Sequence, residues 1–319
     1  MKRDVKIMKA VKDFKIHKKI TVNELINQMM EGGGFAAKKL AVSINIIEGM
    51  IKDKDSLNFL SFPACIIATG VRGVIKDMVK KGWFKVLITT CGTLDHDLAR
   101  CWKKYYHGNF EMNDKKLHKA GINRIGNILA PNESYGLIIE NKMNQFLNEI
   151  YSKNIRELST YELCWELGKR IKNEDSILYW CWKNKIYVIV PGITDGAVGY
   201  QIWHFSQNHD FKINVLKDEK ILNDLIWEAK KSGALIIGGG ITKHHVIWWA
   251  QFAKGLNYAV YITTAVEYDG SLSGARTHEA ISWGKIKENA KHITVEGDAT
   301  VYLPIVYAAL LERLNNKVD

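Results

Sequence analysis

A lysine near the end of the chain stands beside a tryptophan and shortly after a carboxylate. Residues 279–285 read EAISWGK, so Lys285 follows Trp283 by two positions and Glu279 by six. Lysine is a poor nucleophile while protonated, with an ordinary pKa of about 10.4. Packing against an indole disfavours the charged form and frees the amine for imine chemistry. The alternative is a solvated lysine in a turn after Gly284.

A second group of ionisable side chains follows a glycine triplet. Lys243, His244 and His245 come directly after residues 238–240, which are all glycine. A neutral imidazole can accept a proton when hydride leaves a carbon next to an amine. Neighbouring histidines on a helix point about 100° apart and no third ligand follows at motif spacing, so we predict no metal site. A buried structural pair remains the alternative for the two histidines.

The elements that must position these residues alternate along the chain. Helical patterns at 73–81, 221–231 and 246–254 separate short apolar runs rich in β-branched residues. Those runs are 85–90, 186–190, 234–237, 258–263 and 292–295. Continuous apolar strands joined by helical crossovers are typical of a parallel sheet covered on both faces. We therefore predict an α/β fold with a Rossmann-like parallel sheet and helices on both faces.

Small, polar or flexible residues follow each predicted strand. The segments at these exits are 90–93, 192–196, 238–240, 264–265 and 296–299. The carboxyl ends of parallel strands share one edge of the sheet, where open α/β folds bind ligands. A glycine triplet at such an exit has no side chains in the way, so the main-chain amides at the start of the next helix can approach a phosphate. It lacks the G-x-G-x-x-G spacing, however, so a tight turn explains the triplet equally well.

Composition narrows the class of protein. The 319 residues are 47% hydrophobic and 25% charged, with a net charge of +11. The lysines are spread along the chain, so we interpret the charge as solubility and expect no nucleic-acid site. We find no apolar stretch near the ~18 residues of a membrane helix and no signal peptide. Five cysteines without C-x-x-C spacing favour reduced thiols in a cytoplasmic protein.

No repeat or linker divides the chain, so we expect a basic arm at 1–20 and a single domain at 21–319. The arm carries Val5, Met8, Val11 and Phe14 at three-residue steps among lysines, a pattern that suits a short amphipathic helix or a frayed end. Residues 21–24, TVNE, have the form of a capping box that starts the first firm helix.

These motifs together resemble those of a known enzyme family. Residues 238–245, 258–265, 269–276 and 279–285 closely resemble deoxyhypusine synthases, and the resemblance extends over about residues 60 to 310. It includes the segments GINRIGN at 121–127 and PNE at 131–133, whose chemistry the sequence does not reveal, and archaeal-type motifs at 92–97 and 271–275.

The resemblance implies an NAD-dependent aminobutyl transferase. The donor would be spermidine, and the acceptor a lysine of the translation initiation factor 5A precursor. Lys285 would hold the aminobutyl group as an imine, His244 would act as the base, and Lys243 would be essential. Trp283 would stack on the amine and Glu279 would bind an ammonium end. The family also implies a homotetramer with sites shared across a dimer interface.

The resemblance assigns further positions residue by residue. Those matching the family's other amine contacts are Asp95, His96, Tyr200, Gly270, Ser271 and Leu272. Those matching its NAD contacts are Ala64, Cys65, Ile66, Ile67, Ala68, Thr90, Cys91, Gly92, Asp195, Gly239, Thr264, Ala265, Asp298 and Ala299.

The chain departs from the family at the amine. His96, Tyr200 and Leu272 replace acids of the eukaryotic members, while Asp95, Asp97 and Asp269 stand close by in sequence and could substitute. An agmatine- or putrescine-like donor would need fewer acids. Two other functions stay open: homospermidine synthase-like transfer to a small amine, and a non-catalytic regulator that binds NAD or polyamine.

Overall fold

A computed structural model describes residues 8–315, which form strands and helices in alternation. The strands in this range are β1 (Ser56–Ser61), β2 (Val86–Ile88), β3 (Tyr106–His107), β4 (Ile122–Ile125), β5 (Ile128–Pro131), β6 (Glu157–Leu158), β7 (Tyr187–Ile189), β8 (Lys212–Ile213), β9 (Lys231–Ile237), β10 (Leu256–Thr263) and β11 (Ile286–Glu296).

The α-helices in the described part of the chain vary from four to eighteen residues. They are α1 (Val22–Gly32), α2 (Phe35–Lys52), α3 (Val71–Lys80), α4 (Cys91–Trp102), α5 (Asp114–Lys119), α6 (Gly136–Tyr151), α7 (Thr160–Ile171), α8 (Ile177–Lys183), α9 (Ala197–Ser206), α10 (Leu216–Glu228), α11 (Gly240–Phe252), α12 (Glu279–Ser282) and α13 (Ala299–Asn315). Among them, no helix combines the length and the apolar character needed to cross a membrane.

Six strands form one parallel sheet in the order β11-β10-β9-β1-β2-β7, which confirms the predicted fold class. The register places equivalent positions of all six strands at one level. These positions are Ser61, Ile88, Ile189, Ile236, Tyr261 and Thr294. The loops that follow them therefore meet along a single edge, as expected of carboxyl ends in a parallel sheet.

Both faces of the sheet are buried because successive side chains of each strand point to opposite sides. In β9, Leu235 and Ile237 join the larger core, which includes buried side chains of α2, α3 and α13. Ala234 and Ile236 face the smaller core beneath α10, α11 and α12. Helices thus cover both faces, and α11 and α12 bring Lys243 and Lys285 to the same side.

The sequence did not reveal β1, although this strand lies near the centre of the sheet. Asn58 interrupts its apolar run, and such a polar residue weakens the pattern of a buried strand. The structure shows why the residue is tolerated there. The Asn58 amide is buried and donates to the main-chain oxygens of Met50 and Trp83, each at 3.2 Å. Its hydrogen-bonding groups are therefore satisfied.

The N-terminal arm is extended within the described residues, so the predicted amphipathic helix is wrong from residue 8 onward, while Val5 lies outside the described residues. The Lys15 amide donates to Gln28 Oε1 at 2.6 Å, and Gln28 Nε2 donates back to the Lys15 oxygen at 3.1 Å. The arm therefore follows α1. The predicted capping box is confirmed, with Thr21 and Glu24 each accepting the other's amide.

The segments with no assignable chemistry in the sequence form a separate small sheet, β3-β5-β4. Gly126, with φ of 60°, makes the turn between β4 and β5. The Asn123 amide donates to the Ala130 oxygen at 3.1 Å and to Asn132 Oδ1 at 2.8 Å. These residues therefore hold a hairpin together.

A buried carboxylate joins three helices. Asp97 of α4 accepts hydrogen bonds from Arg72 Nε at 2.8 Å and from Ser176 Oγ at 2.6 Å. It also accepts the first amides of α8, from Ile177 at 3.1 Å and Leu178 at 3.0 Å. A buried charge costs free energy unless it is paired in this way.

We predict that Asp97→Ala lowers the free energy of unfolding by about 3–5 kcal/mol, because it leaves the Arg72 guanidinium buried and unpaired. Urea denaturation followed by circular dichroism measures the change. The matched control is Asp114→Ala, which removes an exposed partner of Arg124 and should leave the midpoint nearly unchanged. Equal midpoints for the two variants would contradict this account.

Candidate active site

A cavity of about 150 Å³ lies between α11, α12 and the loop after β10. It is lined by Lys243, Ile247, Tyr261, Leu272, Ala275, Arg276, Glu279, Ala280, Trp283 and Lys285. This volume equals the share of about five water molecules, which suits part of an alkyl amine and is too small for a dinucleotide. The cavity therefore unites the lysine, indole and carboxylate that the sequence singled out.

Lys285 is buried at the start of β11, and its main chain is fixed on both sides. Its amide donates to the Ala280 oxygen at 3.0 Å, and its oxygen accepts the Leu256 amide at 3.0 Å. The side-chain Nζ lies 5.0 Å from the centre of the Trp283 ring. The expected packing of amine against indole is present, so the solvated-turn alternative does not describe Lys285.

Lys243 is buried in the first turn of α11 and binds the loop after β10. Its Nζ donates to the main-chain oxygens of Leu272 at 2.7 Å and Ala275 at 2.6 Å. The ammonium also lies 4.2 Å from the centre of the Tyr261 ring. Burial lowers the pKa of Lys243 to about 8, while the charge of Glu279 opposes that change. These contacts hold the loop after β10 against α11.

The two histidines of α11 have separate roles. His244 is exposed and stacks on Trp248, with ring centres 5.8 Å apart. Burial and the charge of Lys285 lower the pKa of His244, which keeps the imidazole neutral at pH 7. His245 turns away, with Nε2 3.2 Å from Glu219 Oε1. Of the two histidines, only His244 is exposed and influenced by the charge of Lys285.

Glu279 and Trp283 lie at the mouth of the cavity. Glu279 is the exposed first residue of α12, and its charge acts on both Lys243 and Tyr261. Trp283 leaves 66% of its surface exposed. A carboxylate and an open indole face are groups that bind an ammonium ion.

The loop after β10 folds over the glycine triplet. A Cβ on Gly239 would lie 2.2 Å from Ser273 Oγ, so glycine is required by the chain's own packing. Gly238 and Gly240 have φ of 69° and 63°, which confirms a tight turn. Gly270 and Ser271 are exposed on this loop, whereas Leu272 lines the cavity.

The sheet edge offers groups that fit a dinucleotide. The first turns of α4, after Thr90, and of α11, after Gly239, have no side-chain cap, and uncapped helix starts are places where proteins bind phosphate. Asp195 and Asp298 are exposed beside other strand exits and could accept ribose hydroxyls. Thr264, Ala265 and Ala299 lie at the same edge.

The predicted segment Ala64–Ala68 is a short 3₁₀ helix at the exit of β1. Ala64 and Cys65 reach the surface, whereas the side chains of Ile66, Ile67 and Ala68 are buried in the protein. Any contact of these last three with a dinucleotide must involve main-chain atoms. Cys91 is also buried, and Gly92 packs against Ala64.

Comparison with known proteins shows to which family the chain belongs. A family model described as deoxyhypusine synthase matches residues 24–310. A probable deoxyhypusine synthase of Picrophilus torridus is 54% identical over 313 residues, which cover 98% of this chain and 100% of the relative. The corresponding protein of Thermoplasma volcanium is 52% identical over 312 residues, again covering 98% and 100%.

The chain belongs to the deoxyhypusine synthase family.

The fold agrees with this membership. A crystal structure from Entamoeba histolytica, assigned to deoxyhypusine synthase, superposes with a TM-score of 0.62 at 19% identity. The match covers 94% of this chain and 96% of that one. At this identity the likeness shows the fold alone.

Two positions that match amine contacts of deoxyhypusine synthases lie in the interior instead. Asp95 accepts Tyr135 Oη at 2.8 Å and the first amides of α9 from Ala197 at 2.9 Å and Val198 at 2.8 Å. Burial raises the pKa of Asp95. Both carboxylate oxygens of Asp95 are therefore occupied by groups of its own chain, and Asp95 does not line the Lys285 cavity.

His96 is likewise buried, and it lies near Tyr105 and Tyr135. Its Nδ1 is 2.9 Å from Tyr105 Oη, and burial lowers the pKa of His96 to about 4. His96 therefore belongs to a buried aromatic cluster and does not line the Lys285 cavity.

The remaining candidate acids and Tyr200 are also outside the cavity. Asp97 holds Arg72 and α8, as described above, and Asp269 accepts the Ser271 amide at 2.6 Å within its own loop. Tyr200 is exposed on α9 and lines a different cavity, together with Asn123 and Asn132. Among residues 8–315, Glu279 is the one carboxylate that lines the Lys285 cavity.

The sequence did not indicate two polar groups of this site. Tyr261 is buried, and among the described residues its hydroxyl has no hydrogen-bond partner. Arg276 lies with Nε 3.3 Å from Glu267 Oε1, and its buried Nη1 likewise has no partner in the described part of the chain. Tyr261 follows the regular pattern of a strand and Arg276 lies in a loop. The sequence around each of them therefore gave no sign that it would line the cavity.

We predict that Lys243→Met loosens the loop after β10, because it removes two charge-assisted hydrogen bonds. Trypsin cleavage after Arg276, followed by mass spectrometry, should become about tenfold faster or more. Lys285→Met is the matched control, since it removes a lysine of the same cavity and leaves Leu272 and Ala275 bound. Equal cleavage rates in both variants would show that Lys243 does not hold the loop.

Proposed function

We propose that the protein transfers the aminobutyl group of spermidine to a lysine of the translation initiation factor 5A precursor and so forms deoxyhypusine. The observation that carries this proposal is a buried lysine, Lys285, that shares one cavity with Trp283 and Glu279 in a member of the deoxyhypusine synthase family. An imine-forming enzyme needs a primary amine sheltered from water and next to a site for a second amine.

Four residues that line the cavity, and His244 outside it, each have a proposed part in the reaction. Lys285 attacks the oxidised carbon of spermidine, the bond from that carbon to the donor nitrogen breaks, and diaminopropane leaves. Lys285 then holds the aminobutyl group as an imine until the acceptor lysine displaces it. The Trp283 ring lies along the alkyl chain, and Glu279 binds a terminal ammonium. His244 is neutral and accepts the proton that leaves the donor nitrogen. Lys243 keeps the loop closed behind them.

We propose NAD as the cofactor, held along the carboxyl edge of the sheet. The uncapped first turns of α4 and α11 support binding of its phosphates, and Asp195 and Asp298 support binding of its ribose hydroxyls. Bound NAD supplies the acceptor and the later donor of hydride.

The charged residues that line the cavity limit how many positive charges the amine donor can carry. Lys243, Arg276 and Lys285 line the cavity, and Glu279 is the one lining carboxylate in the part of the chain that the structure describes. Spermidine carries more cations than this set balances, so a donor with fewer charges, such as agmatine, is kept as the alternative to spermidine. The assay below includes both amines.

We further propose a homotetramer with shared sites and a cytoplasmic location. Large aromatic side chains are exposed on two helices, with Tyr200 and Trp203 on α9 and Trp248 and Phe252 on α11. Such surfaces are common at protein interfaces. All five cysteines are free, which fits a reducing compartment.

We predict that incubation with NAD and spermidine, followed by borohydride reduction, adds an aminobutyl group to Lys285. Peptide mass spectrometry locates the adduct, and a parallel reaction with agmatine tests the second donor. Adding the factor 5A precursor or putrescine before reduction should discharge the imine to the true acceptor. Lys285→Arg should abolish the adduct and leave NAD binding nearly intact, whereas a non-catalytic regulator would give no adduct in any form.

We also predict the direction of the pH dependence. Because the pKa of His244 lies below its ordinary value of 6.5, the transfer rate should not decline through imidazole protonation until the pH falls below 6.5. His244→Ala should lower kcat by about 10²–10⁴-fold and remove this acidic limb. The measurement is kcat against pH for both proteins. An imidazole-dependent limb centred above pH 6.5 would contradict the assigned environment.

A further inference from the structure

The 3₁₀ helix Ala64–Ala68 must hold its shape although it is only five residues long. Short 3₁₀ helices have poor internal hydrogen bonds and leave carbonyl oxygens without partners at the C-terminal end. Here the oxygens of Ile67, in the helix, and of Thr69, directly after it, both accept Arg100 Nη1 at 2.6 Å, and the Thr69 oxygen also accepts the Arg72 amide at 3.4 Å. A cation at this end also complements the partial negative charge of the helix C-terminus.

The opposite end of the same 3₁₀ helix is also bound by α4. The Ala64 amide donates to Thr90 Oγ1 at 3.2 Å. A Cβ on Gly92 would lie 2.9 Å from the Ala64 Cβ, so the missing side chain lets the two segments approach. Thr90 and Arg100 are about 15 Å apart along α4, whereas the 3₁₀ helix is about 10 Å long. The long arginine side chain covers the remaining distance to the end of the 3₁₀ helix.

Arg100 is itself held in place and does not lie at the surface that faces a ligand. Its guanidinium is half-buried and lies 5.8 Å from the centre of the Tyr105 ring. The Tyr105 hydroxyl in turn contacts His96 Nδ1 at 2.9 Å. The buried His96 thus helps to hold Tyr105, and the Tyr105 ring packs against Arg100.

We infer that Arg100 is a positioning residue for NAD binding, which acts by fixing the main chain of Ala64–Ala68 at the cofactor edge of the sheet. This inference rests on the proposed function, because that function places NAD at this edge. It also explains how a segment with three buried side chains contributes to cofactor binding: its main-chain atoms must be fixed before NAD arrives, which lowers the ordering cost of binding.

The test compares Arg100→Met and Arg100→Lys with the unsubstituted protein. Isothermal titration calorimetry measures the Kd of NAD, and borohydride trapping measures the KM of the amine at saturating NAD. The matched control is Arg156→Met. Arg156 Nη1 also donates to a main-chain oxygen, that of Tyr151 at 2.7 Å, and its guanidinium lies 3.6 Å from the Tyr151 ring centre.

We expect Arg100→Met to raise the Kd of NAD about tenfold or more, with the amine KM nearly unchanged. Arg100→Lys, which keeps a charged donor, should restore most of the affinity, and Arg156→Met should have no effect on it. If Arg100→Met does not fold, Arg100→Gln keeps a neutral donor and should give the same selective loss.

Unchanged NAD affinity in the Arg100 variants would overturn the inference. So would an equal loss of NAD affinity and amine KM, since that would indicate a general structural role. Absence of NAD binding to the unsubstituted protein would instead overturn the proposed function together with this inference, so the two failures are distinguishable.

Discussion

The active-site cavity depends on one buried ammonium group. Lys243 crosses from α11 to the loop after β10 and satisfies the oxygens of Leu272 and Ala275 at 2.7 and 2.6 Å. An unpaired charge at this depth would cost several kcal/mol, so the loop must stay where those oxygens meet the ammonium. The same loop leads into α12. Fixing it therefore also fixes Glu279, Trp283 and Lys285 around the cavity.

Much of the fold could be predicted because its pattern is local. The apolar runs of β2, β7, β9, β10 and β11 and the polar residues at their exits specified a parallel sheet with one functional edge. Strand β1 was missed because Asn58 breaks its pattern, and only the tertiary partners of that amide explain it. The extended arm was missed for a similar reason, since its partner Gln28 lies on another element.

The chemistry of the site was predictable where it depends on close neighbours in sequence, as for Lys285 and Trp283. It was not predictable where the role depends on what lies across the fold. Asp95 is a carboxylate near the cofactor edge by sequence, yet the amides of α9 and Tyr135 occupy both of its oxygens. Tyr261 gave no signal beyond its strand, although it lines the cavity and its hydroxyl has no hydrogen-bond partner among the described residues.

The central claim is that the Lys243 contacts place the Lys285 amine in a closed cavity where the transferred group rests. The most direct test is a crystal structure of the enzyme after borohydride reduction with its amine and NAD. The account predicts an alkyl chain that extends from Lys285 Nζ along Trp283 toward Glu279, with Lys243 still bound to its two loop oxygens. An alkyl chain that points into solvent, or a Lys243 released from the loop, would contradict it.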